Sequence, residues 1–377
     1  MSRILVIGGY GGFGARLSRR LVGSGHAVLV GGRSAEKAAR FCATLPGSES
    51  IETDRTGDLG PILRKVNPDI LIDAAGPFQA CCYGVPKACI DAGVHYLDLA
   101  DARDFVVGIG ELDGAAAKAG VAVISGASTV PALSSAVAVE LARGLDRVEK
   151  VDIALSAATH STANFSVAKA VLSYLGRPIK LPCGSTFGWQ SLKRRRYKMS
   201  GATPLRRLVA IVDVPDYDLL PSSLPGNPGV EFRAGTDVSF HMIALWLASW
   251  MVRWTGFKLD KFASAFVKLQ RLTALGRGDR SAMDVRLIGV RGTEHLDRRW
   301  TLIAEDFDGP EIPTMAAALL ADDIAAGKIG PGARPAAGLL SLDRFEVCFA
   351  KLAIRLEMVA SMIDSTEEAR DVLVLGN

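Results

Sequence analysis

Two sets of residues in this chain have the type and spacing to do chemistry. The first is the glycine cluster GGYGGFG, Gly8 to Gly14, set between the apolar run Ile4 to Ile7 and a segment in which Phe13, Leu17 and Leu21 recur at helical spacing. Glycine weakens strands and helices, so a cluster at the first turn implies a backbone that bends sharply and approaches something closely. Within it Gly9, Gly11 and Gly14 match G-x-G-x-x-G, which aims a helix's free N–H groups and positive dipole end at a pyrophosphate. On that pattern Gly9, Tyr10, Gly11, Gly12, Phe13 and Gly14 are dinucleotide-binding positions. The acidic residue that would accept from a ribose 2′-hydroxyl about 20 residues further on is absent. Gly31 and Gly32 stand there, followed by Arg33 and Ser34. A guanidinium with no carboxylate in that place forks onto a phosphate, so Arg33 and Ser34 predict NADP(H) over NAD(H).

The second set is titratable. Hydride transfer is commonly accompanied by proton exchange, which needs a side chain with a tuned pKa. Asp98 and Asp101 lie at and just past the strand-like HYLDL, and His160 lies in the polar stretch ATHSTANFS. These are the acid, base or substrate-orienting candidates. Each has a plainer reading: Asp98 as the cap of a turn, His160 as a solvated loop histidine.

The elements that must position these residues alternate in type over the first third of the chain. Apolar runs at 4–7, 27–30, 50–54, 69–74, 95–99 and 121–125 are separated by helix-like segments. That order predicts an α/β fold, a Rossmann doubly wound parallel sheet, whose ligands sit beyond the carboxyl ends of the strands. The rule adds Asp54 and the turn Ala75, Gly76, Pro77 and Phe78 to the cofactor site. Phe78 reads equally well as a core aromatic. Past about Pro131 the texture changes to shorter segments with many turn signals, and stretches at 148–156, 207–214 and 285–290 predict a second α+β domain built on an antiparallel sheet. Residues 1–130, 131–311 and 312–377 are therefore expected as a nucleotide-binding domain, a substrate and dimerisation domain, and a helical C-terminal segment packing back on the first.

The chain of 377 residues is 22% charged, with a net charge of +4. That is too slight to argue for nucleic acid, and the run LKRRRYK, Leu192 to Lys198, reads as a solvated face or hairpin, or else as a grip for an anionic substrate tail or an acidic membrane. Six cysteines show no zinc-site or disulfide spacing, no metal is expected, and reduced thiols in a cytoplasmic protein account for them. The chain enters a strand within its first residues, which reads as no signal peptide. Val238 to Trp254 is strongly apolar with three tryptophans but too short to cross a bilayer. A buried helix, or one packed against a twin in a dimer, is the favoured reading. A wall of the substrate pocket and a peripheral membrane contact are the others.

The stretches GGYGGFG, DAAGPF (Asp73 to Phe78), YGVPKACIDAGVHYLDLAD (Tyr83 to Asp101), SGASTVPALSS (Ser125 to Ser135) and IPTMAAALLADDIAAGKIGPGARP (Ile312 to Pro335) resemble the saccharopine dehydrogenase family, especially its short bacterial members. The resemblance implies an NADP-dependent oxidoreductase acting by hydride transfer at a C–N bond of an amino-acid or imine-type small molecule, in a homodimer. Some relatives instead reduce C=C bonds of lipid-like substrates. A non-catalytic NADP-binding or membrane-associated protein is the reading from another class. One departure matters: many members carry an Asp before the proline after the sixth strand, and here that position is Val130. The loss of a carboxylate there weakens the case for an amino-acid ammonium, and the tryptophan-rich segment points to a more apolar substrate.

Overall fold

A computed structural model describes residues 1–79, 81–159, 164–181, 184–257, 259–273 and 279–362. Two seven-stranded sheets organise the molecule. The first contains β1 (Arg3–Ile7), β2 (Ala27–Gly32), β3 (Ser48–Glu52), β4 (Ile70–Asp73), β5 (His95–Asp98) and β6 (Ala122–Ser125). The apolar runs of β1, β4 and β6 are buried as they must be when helices cover both faces of a sheet. Every pairing in this sheet is parallel, and β1 lies between β2 and β4. The strand order reverses between β1 and β4, and the crevice at such a switch point is where ligands of open α/β sheets bind.

The second sheet takes β7 (Arg147–Ala157), β10 (Lys193–Tyr197), β11 (Leu205–Ile211), β12 (Gly229–Thr236), β13 (Ser281–Arg291), β14 (Glu294–Ala304) and β16 (Ile354–Met362), while β8 (Pro178–Leu181) and β9 (Gly184–Phe187) form a separate hairpin. Its pairings are antiparallel except that β12 and β7 run parallel, so the sheet is mixed. The long connection between β7 and β12, which carries the helices Phe165–Ser173 and Asp216–Ser223, supplies the crossover that a parallel pair requires. One face of this sheet, with Phe232 on β12, Met283 on β13 and Leu302 on β14, turns toward the Rossmann domain and continues its core.

Three readings of the sequence are corrected, and one is refined. The tail is not wholly helical. After the helix Ile312–Ala325, the strand β15 (Gly332–Pro335) pairs with β6 at the edge of the first sheet, and β16 pairs with β14 in the second. The third strand ends at Glu52, which leaves Asp54 in the following turn. The basic run is a largely solvated hairpin strand, as expected: Lys193, Arg194 and Arg196 are exposed on edge strand β10, which pairs antiparallel with β11, while Arg195 turns inward onto Asp152 and Asp284, both at 2.6 Å. The helix Ser239–Thr255 is buried on one side only: Met242, Leu245 and Val252 enter the core, while Phe240, Leu247 and Trp254 face out.

Candidate functional site

The glycine loop is built by close approaches that a side chain would block. Gly8 has φ +76°, and the N–H groups of Gly8 and Gly9 both donate to the Gly31 carbonyl at the end of β2. A Cβ on Gly14 would stand 2.0 Å from the Gly8 oxygen, and one on Gly9 would stand 2.8 Å from the Val6 oxygen. The helix Gly12–Gly23 then starts with no side-chain cap and no acid in its first turn. Its first amide groups have neither a competing acceptor nor a repelling carboxylate, and the residues present fit a pyrophosphate. Beside it, Tyr10 lies across Gly32: a Cβ there would be 2.3 Å from the Tyr10 ring. The Tyr10 hydroxyl accepts from the Ser34 N–H at 3.1 Å, and the Ser34 hydroxyl caps the next helix by accepting from Lys37 N–H. Arg33 projects into solvent next to them. Asp54 is exposed and turned inward onto the backbone and hydroxyl of Thr56, whose N–H chiefly holds its pKa down, with Arg33 among the lesser attractions.

The turn after β4 is held from below. Asp73 is fully buried, pairs with Arg55 at 2.8 Å and accepts from Ala75 N–H at 3.0 Å. Burial raises its pKa and Arg55 pulls it back. The same guanidinium lies 4.7 Å from the Phe78 ring centre. Gly8 and Ala75 are in such contact that a Cβ on Gly8 would meet Ala75 at 3.1 Å, which places the two loops side by side. From the second domain, the Ser166 hydroxyl donates to the Gly76 carbonyl at 2.9 Å.

Between this turn and the second sheet lies a cavity of about 300 Å³, into which Phe13, Gly76, Pro77 and Phe78 project from the first domain. Ala75 stays outside it. The remaining wall is mostly apolar, from Val130 and Leu133 to Phe232, Met283 and Leu302. Among the described residues it contains no Lys, Arg or His, and its charged groups are Asp101 and Asp213. Asp213 is compensated by Arg103 at 3.2 Å. Asp101 has no such cation and accepts from the Gln79 amide at 3.2 Å. It is accessible to water yet packed around by protein atoms, which raises its pKa, the Gln79 bond opposing. Tyr174, stacked on Trp189, adds a phenol that burial keeps protonated.

Asp98 is not at the cavity. Completely buried, it accepts from Ala100 N–H at 2.9 Å and Gly126 N–H at 2.7 Å, and so ties the turn after β5 to the turn after β6. Burial lifts its pKa to about 6 against those bonds. His160 lies outside the described residues. Sequence reasoning missed Gln79, Arg55, Tyr174 and Asp213. Gln79 and Arg55 each directly follow a residue it did select, whereas Tyr174 and Asp213 come from the second domain and carry no local signal.

Comparison with known proteins adds three findings. Residues 4–124 match the family model for the saccharopine dehydrogenase NADP binding domain. No curated protein matches the chain in sequence. Among solved structures, the apo saccharopine dehydrogenase (L-Glu forming) from Saccharomyces cerevisiae superimposes with a TM-score of 0.65 over 96% of this chain and 100% of that one, at 14% identity. An amine dehydrogenase from Mycobacterium smegmatis gives 0.49 over 91% and 95%, also at 14% identity. At 14% identity the likeness to the yeast enzyme is one of fold alone.

Proposed function

We propose, from the premise that residues 4–124 are an NADP-binding domain of the saccharopine dehydrogenase family, that this oxidoreductase transfers a hydride at the C–N bond of an apolar amine or imine. The observation that carries this reading is Asp101, the one carboxylate of the described wall without a cation, in a mostly apolar cavity beside Gly76, Pro77 and Phe78. An α-amino acid would need a cation for its carboxylate, and no Lys or Arg lines the described wall.

NADPH supplies the hydride from its nicotinamide ring when bound. The glycine loop and the free N–H groups of Gly12–Gly23 hold its pyrophosphate, and Arg33 takes the 2′-phosphate. Gly76, Pro77 and Phe78 line the nicotinamide side, with Ser166 and Arg55 fixing the turn. Asp101, as carboxylate, pairs with the protonated nitrogen of the imine. It steers the carbon toward the cofactor and keeps the nitrogen protonated, so that the carbon is electrophilic and nitrogen takes the C=N electron pair as the carbon gains the hydride. The apolar wall excludes water from the reacting pair. A second reading, reduction of a C=C bond in an apolar acyl chain, is favoured by Tyr174, whose protonated phenol could bond an enoyl carbonyl.

Turnover of a panel of apolar imines and enones with NADPH, in wild type and Asp101→Asn, tests the proposal. The expected result is imine reduction that falls at least about 100-fold in the variant while NADPH affinity is unchanged. Rates should also fall as pH drops through the raised pKa of Asp101, because the protonated acid no longer pairs with the iminium. Full imine turnover by Asp101→Asn overturns it. Enone turnover that depends on Tyr174 rather than Asp101 installs the second reading.

A further inference from the structure

The helix Ser239–Thr255 is apolar on two opposite sides. Its inner side, through Met242, Leu245, Ser249 and Val252, is buried. Its outer side carries Phe240, Ile243, Leu247, Met251 and Trp254, at intervals of three and four residues that form one stripe. Phe240 is 60% exposed, Leu247 59% and Trp254 77%. The stripe continues on the neighbouring segment, where Phe262, Leu269 and Leu272 are also exposed. The two helices are joined where His241 Nε2 meets the Thr273 hydroxyl at 2.5 Å. Scattered exposed leucines need no explanation, but an aromatic and aliphatic stripe along one helix, with further exposed apolar residues on the next, does.

The charges on this segment select its partner. Between Ser239 and Thr273 the sequence has Arg253, Lys258, Lys261, Lys268 and Arg271 against a single acid, Asp260. Lys261 and Lys268 project from the same two-helix unit into solvent. A second copy of this face would oppose cation to cation, at a cost that grows with each pair. An anionic surface satisfies both features, since tryptophan and phenylalanine settle among headgroups while lysines reach the phosphates. At 17 residues the helix spans roughly 25 Å, and no helix among the described residues is long and apolar enough to cross a membrane. The geometry therefore lies flat.

We infer that the outer face of helices Ser239–Thr255 and Ala263–Thr273 docks this protein on the surface of an anionic lipid bilayer. The same helices send Leu245, Phe266 and Gln270 into the wall of the cavity. Docking thus sets the reaction chamber one helix thickness from the acyl layer. The inference is independent of which bond is reduced, because it is read by binding alone.

Co-sedimentation of the purified full chain with vesicles tests it. Binding to phosphatidylcholine vesicles containing phosphatidylglycerol should exceed that to pure phosphatidylcholine by at least about tenfold and weaken with salt. The double variant Leu247→Asp with Trp254→Asp should lose at least about tenfold in vesicle affinity, and Lys261→Glu with Lys268→Glu should lose the preference for the anionic lipid. In both, NADPH affinity and melting temperature report an intact fold. Absence of vesicle binding by the wild type, binding indifferent to lipid charge, or undiminished binding by a folded apolar-face variant overturns the inference. A dimer that dissolves in that variant, without vesicle binding, assigns the face to self-association instead and overturns it equally.

Discussion

Asp216 is buried completely, and neither of its carboxyl oxygens completes a hydrogen bond within the described structure. The nearby Ser134 hydroxyl offsets only part of the burial, which lifts its pKa to about 7. A carboxyl with a raised folded pKa binds its proton more tightly in the native state than in the unfolded chain. Its stabilising effect is therefore complete below about pH 4 and is lost as pH rises toward 7, to an extent on the order of 4 kcal/mol. Asp216→Asn should flatten this: between about pH 5 and about pH 8, calorimetry should show a smaller fall in melting temperature for the variant than for the wild type. Asp98 and Asp101 show why such residues are hard to read in a sequence. They lie within one short segment, yet one is locked into a turn by two backbone amides and the other faces the cavity. Strand alternation assigns faces; it does not show which turn will fold back onto a carboxylate. The expectation for Arg33 rests on the absence of an acid at a defined distance from the glycines. Arg33→Ala should weaken NADPH binding by about tenfold or more while leaving NADH binding unchanged, as measured by fluorescence titration.

The glycine loop and β4 turn follow from local sequence because local backbone sterics dictate them. Gly14→Ala would place a methyl group 2.0 Å from the Gly8 oxygen, so loop and helix must separate. The expected outcome is loss of detectable NADPH binding together with a lower melting temperature. The tail was less legible. Ile354, Leu356 and Met358 alternate with Arg355 and Glu357, a strand pattern written in residues that favour helices. Pairing with β14, from Ala304 opposite Ile354 to Leu296 opposite Met362, overrides that preference. The parallel pair of β12 and β7 was equally hidden, because register between strands more than 70 residues apart leaves no mark on either. The tryptophan-rich helix misled for a different reason: apolar content predicts burial on average, and here one apolar face stays exposed.

At the scale of the whole molecule the chain passes between the two sheets repeatedly. It leaves the first after β6, builds most of the second, returns as β15, and crosses again to β16. Arg16 and Arg20 hold Glu311 at 2.7 and 3.0 Å where the chain comes back, and Arg103 holds Asp218 and Asp213 across the cavity's flank. The two sheets should therefore melt in one calorimetric transition. Ending the chain before Gly332 removes a strand from each sheet, and the truncated protein should be recovered as aggregate in size-exclusion chromatography.

That late return of β15 bears on how the protein is made. On a ribosome, the nucleotide-binding half emerges first with the outer rim of β6 bare, and the strand that seals it is about 200 residues behind. The nascent sheet must keep that rim from other chains until β15 is made, so the first sheet is completed only after most of the second.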